Sequence, residues 1–177
     1  MKKESPVIWL TGMSGSGKST LASKVKSWAD NAEYSISIID GDSVRDSNKK
    51  KLGFNMVDVR TNNIRIASRC REDRAKFDLI VVPVISPYEE VRIEVRDSLK
   101  PGFHLVYLKT DVDSLKERDT KGLYAASDRG EINDLIGYSK INPYDEPCNA
   151  ELVISTSNTV SLNDSFDVLL GYIKQNL

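Results

Sequence analysis

The sequence predicts an α/β fold in which a doubly wound parallel sheet is flanked by helices on both faces. Three observations predict it. Short apolar runs alternate with longer amphipathic stretches throughout the chain, the pattern of strand–helix repetition. The runs are apolar at successive positions, as strands buried on both faces must be. The first run passes directly through a glycine-rich turn into a helical pattern.

The elements follow in order. "VIWL" (7–10) is the first strand, and after the glycine turn Leu21, Val25 and Trp28 share one helical face. "ISII" (36–39) and "LIVVPV" (79–84) are the second and third strands. Ile93 and Leu99 then punctuate a charged helix, and "LVYL" (105–108) is the fourth strand. His104, the only histidine, lies at its start and reads as structural. Residues 119–150 hold few apolar runs and close with "NPYDEP". A segment of that length without periodicity marks a functional loop or lid. "LVIS" (152–155) is the fifth strand, and Phe166, Leu169, Leu170 and Ile173 form an apolar stripe on a last helix with Ser161 as N-cap.

Composition bounds the function. The 177 residues suit one domain, 1–177, with a full apolar core. The net charge of -1 gives no electrostatic reason to expect a nucleic-acid partner. The basic start of the chain precedes an apolar run too short for a signal peptide or membrane span. Cys70 and Cys148 fit no metal or redox spacing, so reduced thiols and a cytoplasmic location are expected, and the short apolar run predicts no membrane partner.

The turn after the first strand, "TGMSGSGKST", carries the chemistry. Gly12, Gly15 and Gly17 permit positive φ and close backbone approach. Amides from Ser14 through Ser16 to Ser19 can then face an anion at the positive end of the following helix, and Thr20 is counted with them among the ATP-binding residues. Lys18 supplies a mobile cation for the β- and γ-phosphates, and the Ser19 hydroxyl is placed to ligate Mg²⁺. A chance Gly/Ser turn is the bland alternative, and the strand before and helix after argue against it. ATP with Mg²⁺ and a P-loop nucleoside triphosphate hydrolase fold with a lid are therefore expected. No guanine-reading "NKxD" motif follows, which favours a small-molecule kinase.

The second strand ends in "IIDGDSVR". Phosphoryl transfer needs charge neutralisation by Mg²⁺ and a carboxylate to orient the attacking hydroxyl. Asp40 and Asp42 can divide those tasks, and either one can be the base.

The motifs "GMSGSGKST", "DGDSVR", "LGF", "NIR", "ISPY" and "RDTKGLY" resemble, in order and approximate spacing, those of the adenylyl-sulfate (APS) kinases over Val7 to Ile154. That resemblance implies transfer of the ATP γ-phosphate to the 3′-hydroxyl of adenosine 5′-phosphosulfate, giving 3′-phosphoadenosine 5′-phosphosulfate and ADP. It also implies that Arg45 and Arg60 grip the phosphosulfate, Asn63 lies beside them and Phe54 stacks on the base. Guanidinium forks suit tetrahedral oxyanions. Ile85 and Ser86 match the "ISPY" segment, whose serine is described in the family as a phosphoryl acceptor. Direct in-line transfer needs no such intermediate, so substrate contact is the preferred role for Ser86. Lys121 matches the lysine near the transferring phosphates, and a homodimer would be ordinary for the family.

The sequence departs from the family in a cluster. Val59 and Asn62 stand where acidic residues are usual, one residue is added between Phe54 and Arg60, and Ile66 replaces an arginine. "AASDRG" (125–130) replaces a basic run, and two residues are added before "PYDEP". Leu135 stands where a second aromatic encloses adenine. Losing one stacked face costs about 1–3 kcal/mol in nucleic-acid systems. The same 3′-hydroxyl chemistry on cytidine diphosphoramidate therefore stays open, as does an inactive nucleotide-binding regulatory module. Intact Lys18, Ser19, Asp40 and Asp42 weigh against the latter.

Overall fold

The computed structural model describes residues 4–47 and 52–177. The first three residues, part of the short N-terminal run considered above, lie outside them. Parallel strands β1 (Val7–Thr11), β2 (Ile36–Ile38), β3 (Leu79–Pro83), β4 (Phe103–Lys109) and β5 (Leu152–Ser155) form one sheet in the order β2-β3-β1-β4-β5. In β1, Val7 pairs with Ile80 on one side and Phe103 on the other, so the strand carrying the glycine turn is central.

Alternation along the strands divides the core. Val7, Trp9, Ile80, Val82 and Leu105 face α3 (Met56–Asp73) and α4 (Glu89–Leu99). Ile8, Leu10, Leu79, Val81 and Val106 face α1 (Lys18–Asn31) and α7 (Leu162–Asn176). The chain therefore leaves β1 toward one face and β3 toward the other, although the two strands are neighbours. That divergence opens a crevice at their carboxyl ends, where open α/β sheets bind ligands.

Four helices complete the fold: α2 (Gly41–Asp46), α5 (Val112–Arg118), α6 (Leu123–Asp128) and the long α3 were not anticipated from periodicity. In α3 the buried apolar residues Val59, Ile66 and Cys70 are interrupted by buried Asn62 and Asn63, which breaks the apolar stripe. Asn55 and Asp111 cap α3 and α5 by accepting from the amides of Asp58 and Ser114, and Ser161 caps α7 as expected. The expected role of Ile93 is corrected: it is 50% exposed, and α4 buries Val91, Val95 and Leu99 at i, i+4, i+8 instead. His104 is structural, its Nδ1 lying 2.8 Å from the Tyr172 hydroxyl. Cys70 is buried, Cys148 is exposed, and both are free; burial pushes the Cys70 thiol up to about 12. No helix among the described residues is long and apolar enough to cross a membrane.

Candidate active site

The glycine turn has the conformation its residues allow. Gly15 and Gly17 adopt φ of 81° and 94°, a region costly for other L-residues. Gly12 fails differently if substituted: a Cβ there would lie 2.7 Å from Ser16 Oγ and 2.8 Å from the Leu108 carbonyl. It supports the loop from beneath. Ser14 to Thr20 line a cavity of about 420 Å³ that also takes in Asp40, Asp42, Ile85 and Lys121.

Lys18 folds back on this loop, its ammonium donating to the carbonyls of Gly12 at 2.8 Å and Met13 at 2.7 Å. Burial pulls its pKa down to about 7, while Asp42 and Asp40 oppose the shift. An anion placed beside the amine would favour its charged form. The far end of the cavity is lined by Arg118, Thr156, Val160 and Leu162. Arg118 opens the "RDTKGLY" motif, and sequence reasoning missed the other three. Their signal was position alone, since Thr156 directly follows β5 at the carboxyl edge of the sheet.

The two aspartates separate in role. Asp40 is the N-cap of α2, its Oδ1 accepting from the amides of Asp42 and Ser43 at 3.0 and 3.1 Å. Asp42 is exposed and pairs with Lys121 at 3.0 Å. A second, narrow cleft adjoins the first, and Asp42, Val84 and Ile85 line both.

This second cleft is lined by Arg45, Phe54, Val59, Asn63, Ser86 and Ile136 among others. The Arg45 guanidinium stacks over the Phe54 ring at 4.5 Å and donates to the Gly53 carbonyl at 2.9 Å. Phe54 itself is 44% exposed. Three buried polar atoms lining the cleft have no partner: Arg45 Nε, Asn63 Oδ1 and Ser86 Oγ. Buried polar groups without partners are costly, so their convergence on one cleft is what a polar ligand would relieve.

Two expected site residues are placed elsewhere. Arg60 does not line the cleft; it is 56% exposed and makes a two-pronged contact with Glu94 of α4 at 2.5 and 2.7 Å. Val59, one residue earlier and one turn before Asn63, takes the inward position. Leu135 does not line the cleft either. It packs with Leu115 and Tyr124 against Met13, Ile132 and Tyr138, and its neighbour Ile136 faces the cleft. Both displacements are a single residue, enough on a helix or turn to change the face presented.

Residues 119–150 close over the phosphate loop. The Tyr124 hydroxyl donates to the Ser14 carbonyl at 2.7 Å. Gly137, at φ 79°, lies so close to Met13 that a Cβ would come within 2.9 Å of its side chain. Lys121 reaches Asp42 from the same segment.

Comparison with known proteins agrees with this geometry. Residues 4–155 match the family model for adenylylsulphate kinase. The adenylyl-sulfate kinase of Bacillus pumilus is 38% identical over 173 residues, 97% of this chain and 86% of that protein. The adenylyl-sulfate kinase of Chloroflexus aurantiacus is 39% identical over 170 residues, 96% and 89% of the two chains. Among solved structures, the APS kinase of Mycobacterium tuberculosis in complex with AMPPNP and APS superposes with a TM-score of 0.86 at 30% identity, over 97% of this chain and 98% of that one.

Proposed function

The chain belongs to the adenylylsulphate kinase family, and we propose that it transfers the γ-phosphate of ATP to the 3′-hydroxyl of adenosine 5′-phosphosulfate, giving ADP and 3′-phosphoadenosine 5′-phosphosulfate. One observation carries the assignment of the parts. The phosphate-loop cavity and the cleft of unpartnered polar groups meet at Asp42.

On this reading ATP lies on the amides of Ser14 to Ser19, with Lys18 turning from its carbonyls to the phosphates. The acceptor occupies the second cleft, its base on Phe54 and its anionic end near Arg45. Asp42 orients the 3′-hydroxyl and receives its proton as the oxygen attacks the γ-phosphorus, and ADP leaves in line. Asp40 holds the α2 N-terminus so that Asp42 faces the junction. Lys121 exchanges Asp42 for the phosphates it lies beside. Ser86 contacts the acceptor.

Mg²⁺ fits the residues present. Ser19, Asp40 and Asp42 offer only oxygen donors to the cavity, and among the described residues no group of three or more His, Cys, Asp or Glu could hold a metal. A site that binds Mg²⁺ through one or two protein oxygens and substrate phosphates has this character. Ser19 would hold the ion together with the substrate phosphates, and the ion would supply neutralisation of phosphate charge.

The acceptor cleft encloses only about 20 Å³, room for about one water molecule. Ile136, carried on the segment that covers the phosphate loop, therefore withdraws to admit a nucleotide and returns to exclude water. Among the described residues Phe54 is the single aromatic one in the cleft lining, which favours as a second reading the smaller base of cytidine diphosphoramidate. We further take the enzyme to be cytoplasmic and a homodimer. Initial rates with the two acceptors, at matched ATP and Mg²⁺, test the acceptor. A higher kcat/KM for adenosine 5′-phosphosulfate supports the first reading, and a higher value for the cytidine compound replaces it with the second.

A further inference from the structure

Ser86 adopts φ of 46°, one of two non-glycine residues with positive φ among those described. Such a conformation is unfavourable for an L-residue and persists only where surrounding contacts impose it. Its side-chain oxygen is buried without a partner in the acceptor cleft. What imposes the turn is therefore part of how the site is built.

Two residues outside the cleft hold it. Arg92 is 2% exposed, its side chain buried although it sits on a helix of charged sequence. It donates to the Ser86 carbonyl at 2.7 Å and to the Asp145 carbonyl at 2.6 Å, and its Nε donates to Glu89 at 3.0 Å. The second residue is Thr11, fully buried at the end of β1 and directly before the phosphate loop. Its hydroxyl bonds the Ile85 carbonyl and lies 2.9 Å from the Tyr144 hydroxyl. Thr11 has one proton to give, so it donates to Ile85 and accepts from Tyr144. The Asp145 amide donates to the Pro87 carbonyl at 2.8 Å, and its carboxylate accepts from the Glu89 amide at 3.2 Å. The turn at 85–87 is thus gripped from β1, from α4 and from the end of the covering segment.

We propose that Arg92 and Thr11 are positioning residues for phosphoryl transfer, holding Ser86 in its left-handed conformation so that its hydroxyl meets the acceptor. The inference rests on the acceptor site proposed above. It assigns neither residue a contact with substrate. The arrangement also ties the acceptor turn to the strand that ends in the phosphate loop, so both substrates are registered against one hydrogen-bonded frame.

A double-mutant cycle tests this. Arg92→Lys keeps the charge but cannot reach two carbonyls and a carboxylate together. It should lower kcat/KM for adenosine 5′-phosphosulfate about tenfold or more, with KM for ATP changed less than about twofold. Ser86→Gly keeps the backbone conformation and removes the hydroxyl, so it should reduce wild-type kcat/KM yet add almost nothing to Arg92→Lys. Thr11→Val, which removes only the hydroxyl, should show the same acceptor-specific loss if Arg92→Lys proves too unstable to assay. Additive losses, equal increases in KM for both substrates, or unchanged kinetics in these variants overturn the proposal. Wild-type turnover is the separate arm: if it is absent with this acceptor, the functional reading fails, and this inference with it. Normal wild-type turnover alongside unaffected variants defeats this inference alone.

Discussion

Nucleotide binding should draw a proton into the phosphate loop. Lys18 is buried in the ligand-free chain, and desolvation lowers its pKa from 10.5 to about 7. That shift corresponds to roughly 5 kcal/mol against the ammonium form, at 1.36 kcal/mol per unit. Triphosphate oxygens beside the amine restore the charged form. At a pH of about 8.5 the free chain carries the Lys18 proton in about 3% of molecules and the complex in nearly all, so close to one proton is taken up. At a pH of about 6 the uptake falls to about 0.1 proton, since Lys18 is already charged. By linkage, ATP affinity should weaken about fifteenfold between pH of about 7 and 8.5. The sign for stability follows from the same shift. Because the folded pKa lies below the unfolded one, the unfolded chain binds more protons between about 7 and 10.5, and the ligand-free fold gains stability as pH rises through that window. Calorimetric titration with ATP and Mg²⁺, in buffers of different ionisation enthalpy, reads the uptake directly. Lys18→Met should abolish it. Uptake below about 0.2 proton at the higher pH, unaltered by Lys18→Met, would refute the buried, largely neutral amine.

Asp42→Asn should lower kcat about a hundredfold or more with little change in acceptor KM, because the lost interaction belongs to the transition state. Asp40→Ala should instead destabilise the fold by about 1 kcal/mol in urea denaturation, the usual worth of an N-cap. A reversal of those two results would exchange the roles assigned to the aspartates. Arg45→Ala should raise acceptor KM about tenfold or more, whereas Arg60→Ala, whose partner is Glu94 at the surface, should change it less than about threefold. The opposite ranking would show that Arg60 leaves Glu94 to grip the acceptor. Leu135→Phe should not tighten binding of adenosine 5′-phosphosulfate in titrations with ADP and Mg²⁺ present. It adds volume to the packed cluster around Leu115 and Tyr124 and should cost about 1–3 kcal/mol of stability. Tighter binding would mean that position 135, not 136, faces the base.

The parts of the molecule legible in the sequence are those where local pattern and tertiary role coincide. Strand β1 and its glycine turn are unambiguous, because a strand apolar on both faces and a phosphate-binding loop each have a local signature. The Ser161 cap and the Leu169–Ile173 stripe were legible for the same reason. Helix α3 was not, because its inward face carries Asn62 and Asn63 among apolar residues. A helix that lines a ligand cleft breaks the periodicity by which helices are recognised. Arg60 and Leu135 each lie one position from a residue that lines the cleft, Val59 and Ile136, since motif spacing identifies a segment but not its rotation. Arg92 was invisible: a charged residue in a charged helix reads as solvated, and only the fold brings the carbonyls of Ser86 and Asp145 to it.

The most direct measurement is the position of the transferred phosphate. Purified protein is incubated with ATP, Mg²⁺ and adenosine 5′-phosphosulfate, and the product is resolved by phosphorus NMR, with the 3′-deoxy analogue of the acceptor as control. The account predicts a new phosphomonoester coupled to the ribose 3′ proton, formed in step with ADP and absent with the 3′-deoxy analogue. ADP released without that ester, or an ester that still forms on the 3′-deoxy compound, would contradict it.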